Sequence, residues 1–133
     1  MTAAHAINIL YVHDLPCARA FYAERLGMEV VPRFSSDTFI FLKSAGGTPI
    51  ALQPITDLPP GAHAVPGGVP LSFDVADVEA TYADWKAAGV AVLSEVADNG
   101  AGRVFYALDP EGNLLGVAQL HEPVRAHRQA LGI

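Results

Sequence analysis

Two stretches of this chain repeat one pattern, and that repeat limits the fold more than any other feature. "AINILYV" (6–12) and "GVPLSFDV" (68–75) are short runs rich in β-branched and aromatic residues, so each reads as a strand. An aspartate follows each run, Asp14 and Asp77, placed to cap a helix by accepting from its unpaired first N–H groups. Pro16 is tolerated in the first helical turn. Leu15, Ala18, Phe21, Tyr22 and Leu26 share one face of the first helix; Val78, Tyr82, Trp85 and Ala88 share one face of the second. Gly27 and Gly89 stand where each helix ends. Overlaid, Phe21 matches Tyr82, and Leu26-Gly27 matches Ala88-Gly89 with one residue inserted.

Extended runs complete each half. In the first, "MEVVPRF" reads as a strand with Pro32 at a bulge or edge, and "TFIFLKS" and "TPIALQPI" form a hairpin around "AGG". In the second, "VAVLSEV" is a strand, "NGAG" a turn, and "VFYALDPEGNLLGVAQL" (104–120) a hairpin about Asp109–Asn113. The pattern predicts an α+β fold of two tandem βαβββ units, 1–55 and 68–121, in one compact domain. Residues 56–67, "TDLPPGAHAVPG", are the connecting loop, and 122–133 read as a short amphipathic tail helix. A unit this small buries only one face of its sheet under its helix. The other face must be closed by the sibling unit, a second chain or a ligand.

Composition narrows the function. Half the residues are apolar, enough for a core. A net charge of −6 argues against nucleic acid, which needs a basic face to neutralise phosphates. The single cysteine, Cys17, forms no internal disulfide, and no apolar run approaches membrane-spanning length; the expectation is a soluble cytoplasmic protein. Cys17 reads as structural, because no histidine or acid is placed by motif to activate it.

Gly116 is the odd residue. A glycine inside a strand packs nothing and marks a bend or a close approach by something else. "YVHDLPCARAFYAERLGMEVV" and "VFYALDPEGNLLGVAQ" resemble the vicinal oxygen chelate superfamily, which includes glyoxalase I, extradiol dioxygenases, fosfomycin-resistance enzymes and bleomycin-resistance proteins. The resemblance covers roughly residues 5–121. It implies a cup whose floor, in the family's enzymes, holds a divalent metal on His, Glu or Gln side chains, one from each of four strands. The corresponding places here are Ile7, Ala51, Gly68 and Gly116. None supplies the N, O or S donor that a metal requires. His5 and Gln53 lie on the same strand faces as Ile7 and Ala51 but shifted in opposite directions, and His121 has the wrong parity relative to Gly116. No metal and no cofactor is therefore expected.

The resemblance instead points to the bleomycin-resistance branch: a metal-independent protein that sequesters a drug or metabolite. The alternative is a glyoxalase-like lyase, isomerase or dioxygenase with a non-standard site. Expected ligand-binding residues are Ile7, Ile9, Tyr11, Ala51, Gln53, Gly68, Ser72 and Gly116. Tyr11 suits a pocket wall or an ordinary half-buried tyrosine, and Ser72 a donor or a space filler. Phe39 and Phe41 share a face, the cup or the core, that parity alone does not settle. Trp85, Phe21 and Tyr22 belong to the helix stripes and hence the core. His13 reads as a solvated loop residue and His63 as part of the linker. Arg103 meets an anion at the cup mouth or sits at the hairpin edge. The acidic surface favours a cationic or aromatic small molecule, with no nucleic-acid or membrane partner, and a homodimer would cover the exposed sheet face.

Overall fold

The computed structural model describes residues 2, 5, 7–60, 62–66 and 70–133. It divides into two compact units, Met1–Val65 and Pro66–Ile133. Both have the α+β architecture the repeat predicts.

In the first unit, β1 (Asn8–Val12) leads into α1 (Leu15–Ala20), which continues through a wider π-helical turn, Phe21–Arg25. Then follow β2 (Glu29–Val30), β3 (Ile40–Lys43) and β4 (Pro49–Pro54), giving the sheet order β1-β4-β3-β2. β1 and β4 run parallel; the other neighbours are antiparallel. The Asp14 carboxylate accepts from Cys17 N at 3.0 Å and starts the helix, as its position predicts. One sheet face lies under α1: Val12, Ile40, Leu42, Ile50 and Leu52 are buried together with Ala18 and Tyr22.

The second unit repeats the plan: β5 (Leu71–Asp74), α2 (Val78–Ala87), β6 (Ala91–Val92), β7 (Ala97–Asp98), β8 (Gly102–Leu108) and β9 (Leu114–Leu120). Its order is β5-β9-β8-β6, with the short β7 also paired to β8. β5 and β9 are the parallel pair. Asp77 accepts from Ala80 N at 3.0 Å, and Gln119 on β9 adds a second cap by accepting from Val78 N at 3.2 Å. Under α2, Trp85 and Tyr82 meet Phe105 edge-on at centroid distances of 5.7 and 5.4 Å. The caps reveal a better overlay than Phe21 with Tyr82. Counted from Asp14 and Asp77, Tyr22 and Trp85 are equivalent, and these are the two fully buried aromatic residues of their helices.

Three elements differ from expectation. The "MEVVPRF" strand stops at Val30, because Pro32 opens a 3-10 turn, Pro32–Phe34. The strand expected at 68–75 begins at Leu71, and residues 67–69 lie outside the described residues. "VAVLSEV" breaks after Val92: the Ser94 hydroxyl takes the Tyr106 N–H at 3.0 Å, replacing a ladder bond with a side-chain bond. The tail forms the expected helix, α3 (Glu122–Ala130).

The Asp-Pro-Glu-Gly-Asn turn is held by a buried carboxylate. Asp109 is 4% exposed; its Oδ1 accepts from Glu111 N and Asn113 N at 2.9 and 2.8 Å, and its Oδ2 accepts from Asn113 Nδ2 at 2.9 Å. Replacing it by alanine leaves these donors unpaired at about 1–3 kcal/mol for the group, so Asp109→Ala should lower the urea unfolding free energy by roughly 2 kcal/mol. A second glycine, Gly102, is structurally obligatory: a Cβ there would lie 2.5 Å from the Gln119 carbonyl oxygen and 2.9 Å from Leu120 Cα, both backbone atoms. Gly102→Ala should cost more than Asp109→Ala in the same assay, since neither obstacle can rotate away.

The turn after β7 predicts an acid response. Asp98 Oδ1 accepts from Gly100 N at 2.7 Å, and its Oδ2 meets His121 Nε2 at 2.9 Å. The Gly100 amide first, and the His121 ring second, hold the Asp98 carboxyl below its ordinary value. A carboxyl depressed by folding contributes stability that is present above its unfolded pKa and lost as pH falls through the folded one. The Gly100 amide resonance should therefore titrate with a midpoint below the ordinary aspartate range. A midpoint at or above that range would contradict the hydrogen-bonded geometry.

Candidate functional site

Each unit has one sheet face turned away from its helix, and register decides what stands on it. In the first unit Ile9 pairs with Ala51, Tyr11 with Gln53, and Phe41 with Ala51 across β3–β4. Directly paired residues share a face. Phe41 therefore stands beside Ala51 and away from α1, which settles the facing that parity left undecided. The Phe34 ring, 57% exposed, leans on Phe41 at 5.3 Å between centroids. Phe39 lies just outside β3, half-buried. Ile9 is 39% exposed, Tyr11 and Gln53 are half-buried, and Ala51 is fully enclosed. Gln53 Nε2 donates weakly to Asp57 Oδ2 at 3.5 Å. Ile7 is half-buried just before β1, and Gly68 lies outside the described residues.

In the second unit Ser72, Gly116 and Tyr106 form one row across β5, β9 and β8. A Cβ on Gly116 would meet Ser72 Oγ at 3.2 Å and Tyr106 Cε1 at 3.5 Å. The space beside this buried glycine is thus taken up by a hydroxyl and an aromatic ring. Unlike the obstacles at Gly102, both are side-chain atoms that can move. One step along the same face, Asp74 pairs with Ala118, and Ala118 with Val104. Asp74 is the acidic group of this row, and Arg125 of α3 is seated on it. Arg125 Nη2 donates to both carboxylate oxygens at 2.8 and 3.0 Å, and Nε donates to Oδ2 at 3.2 Å. This hydrogen bonding, ahead of the Coulomb attraction of Asp74, raises the Arg125 pKa above its ordinary value.

Tyr106, Phe34 and Asp74 are residues of these faces that the sequence reading passed over. A signal for Tyr106 existed: a hairpin centred on Glu111 pairs 106 with 116. Phe34 and the Asp74–Arg125 pair had none, because each depends on tertiary placement. Arg103, left between a cup-mouth role and a hairpin edge, turns to the helix side, where its Nη2 donates to Glu79 Oε1 at 2.6 Å. A separate cleft of about 430 Å³ runs along α1 between Leu15, Arg19 and Glu24 on the helix and Ser36, Asp37 and Ile40. It opens on the helix side of the sheet, away from the row at Ala51.

The donor set does not suit a divalent metal. Ile7, Ala51 and Gly116 offer no ligating atom, and among the described residues no three His, Cys, Asp or Glu side chains gather. His5 Nε2 is turned onto Asn8 Oδ1 at 3.0 Å, Gln53 sits level with Tyr11 further along the strands, and His121 is engaged by Asp98.

Comparison with known proteins places this geometry. A protein from Agrobacterium tumefaciens, solved by NMR in solution, is 35% identical, with a TM-score of 0.74 over 90% of this chain and 99% of that one. TnmS3, an antibiotic binding protein from a Streptomyces species, is 25% identical with a TM-score of 0.72, over 91% of this chain and 99% of that one. A glyoxalase/bleomycin resistance protein from the same source is 26% identical with a TM-score of 0.66, over 87% and 100%. Comparison with curated protein sequences gives no significant match. The model of the Glyoxalase/Bleomycin resistance protein/Dioxygenase superfamily matches residues 2–117, and the chain belongs to that superfamily.

Proposed function

We propose that this protein binds a small molecule without metal, in the manner of the superfamily's bleomycin-resistance members, and sequesters a drug or metabolite rather than transforming it. One observation carries the reading: at two of the places where the resemblance implies metal ligands in the superfamily's enzymes, this chain has an enclosed alanine at 51 and a glycine at 116 bordered by Ser72 and Tyr106. Small residues beside aromatic rings give a face with few polar groups, the usual character of a small-molecule site. The free face of the first unit is lined in the same style by Ile9, Tyr11, Phe34 and Phe41, with Gln53 supplying an amide. The likeness to an antibiotic binding protein agrees with this reading. Net charge of −6 favours cationic ligands through long-range attraction. Ser72 and Tyr11 are the hydroxyl donors, Gln53 the amide, and the rings supply stacking surface. We further propose that the protein acts in the cytoplasm as a homodimer.

The test begins with metal content, measured by inductively coupled plasma mass spectrometry on protein purified without chelator or affinity-tag metal. Less than about a tenth of an equivalent per chain is expected, because bound metals require converging donors. Near-stoichiometric zinc, iron, nickel or manganese would overturn metal independence. A thermal-shift screen of cationic and aromatic antibiotics should then yield compounds that raise the melting temperature, as any ligand specific to the native state does.

Gly116 supplies the matching variants. Gly116→Ala requires only that the Ser72 hydroxyl give way, and should change stability by less than about 1 kcal/mol. Gly116→Leu must push Tyr106 aside, should cost about 1–3 kcal/mol as an overpacked site, and should abolish the shift produced by every hit. Unchanged binding in the leucine variant would move the site away from β9.

A further inference from the structure

The candidate face of the second unit already holds a cation, and that cation is the protein's own. Asp74 stands next along β5 from Ser72 on one face, about 6.6–7 Å away by strand rise. Arg125 grips it through two nitrogens, at 2.8 and 3.0 Å from Nη2 and 3.2 Å from Nε. The Arg125 side chain is 27% exposed and that of Asp74 is 40% exposed. The carboxylate is also positioned from below, its Oδ1 accepting from Leu120 N at 3.2 Å. If Arg125 leaves, Asp74 keeps that bond and stays in place.

Arg125 belongs to α3 (Glu122–Ala130). The described contacts of α3 concentrate in its first turn. Arg125 Nη1 donates to Glu122 Oε1 at 3.1 Å, and the N-cap His121 is tied to Asp98 Oδ2 at 2.9 Å and through its N–H to the Ala101 carbonyl at 2.9 Å. Residues 126–133 are exposed throughout. Ion pairs this accessible to water exchange partners at small net cost. The arrangement has the features of an internal surrogate: a guanidinium held on a pre-set carboxylate, on the same sheet face as the partly exposed Tyr106 ring.

We propose that Asp74 is the cation-recognising residue of the binding site, and that Arg125 occupies its place until a ligand displaces it. The ligand class is an aromatic or apolar body bearing a planar amidinium or guanidinium group. The cation takes the two oxygens of Asp74, and the body lies along Ala118 and Gly116 against Tyr106. Displacement frees the first turn of α3. This inference rests on the small-molecule reading of the same face and sharpens it to one residue and one functional group.

Benzamidine is the probe, since it joins a phenyl ring to an amidinium at about the required length. It is titrated into ¹⁵N-labelled wild type, Arg125→Ala and the double variant Arg125→Ala/Asp74→Asn, all three first shown to be folded by their dispersed amide spectra. Saturable shifts of the Leu120, Ser72 and Gly116 amides are expected in wild type. In Arg125→Ala the affinity should rise roughly threefold to fivefold, the ratio equivalent to one partly exposed ion pair. In the double variant the shifts should vanish. Asparagine preserves an acceptor for Leu120 N, so the loss reports the charge and not a collapsed strand.

Absence of saturable shifts in Arg125→Ala would overturn the proposal, and so would equal shifts in the double variant. The broader reading is judged separately, by whether hits from the thermal-shift screen move the Gly116 and Tyr106 amides in wild type. Hits that do so while benzamidine does not would leave a binder whose cation site is elsewhere. Benzamidine at Asp74 without any such hit would leave a cation site without the proposed small-molecule site.

Discussion

In each unit the first strand pairs in parallel with the last, β1 with β4 and β5 with β9, and the rest of the structure depends on this. Parallel neighbours cannot be joined by a tight turn. The chain must cross over, and it does so through a helix that covers one sheet face, followed by antiparallel strands that complete the sheet. The last strand thereby becomes central, bonded on both sides, while its second face is left without a helix. Ala51 and Gln53 stand on that face of β4, and Gly116 and Ala118 on that face of β9. The candidate binding residues and the βαβββ topology are one geometric fact seen from two sides.

The two free faces differ in their means of recognition. The first offers aromatic surface, with Phe34 and Phe41 in contact and Ile9 partly exposed. The second offers polar groups and a charge: a glycine between a hydroxyl and a phenol ring, then a carboxylate one step on. On the helix side of the second unit, polar groups are engaged in holding the fold. Gln119 caps α2, and Arg103 reaches Glu79. Beside the candidate face, Asp74 and Arg125 form an ion pair that Glu122 joins. That separation makes it possible to ask about binding by mutation without dismantling the domain.

Local chemistry made much of this legible in the sequence. Asp14 and Asp77 cap because their carboxylates reach N–H groups three residues on, and Asp109 organises its turn through donors two and four residues away. Such interactions leave their signature in short spacings. Parity assigned Ile9, Tyr11, Ser72 and Gly116 to the faces they occupy, since strand alternation is a local property. What escaped the sequence were contacts made across long separations. Phe41 could be placed only through its register with Ala51, Ser94 only through its bond to Tyr106, and Arg125 only through a partner 51 residues away. The tail read correctly as a helix, because amphipathic spacing is local, but its destination was invisible for the same reason.

The enclosure of Ala51 limits which substitutions the first unit can absorb. At Gly116 a larger donor side chain would need only Ser72 and Tyr106 to shift, both of them side chains. Ala51 is fully enclosed, on a central strand bonded on both sides, so a glutamate or histidine there would have to force neighbouring packing apart. Equivalent positions on the two central strands therefore differ in tolerance: Gly116 can be enlarged by single substitutions that its neighbours absorb, whereas enlarging Ala51 needs compensating changes around β4. Variation in what this fold can hold would begin at β9 and not at β4.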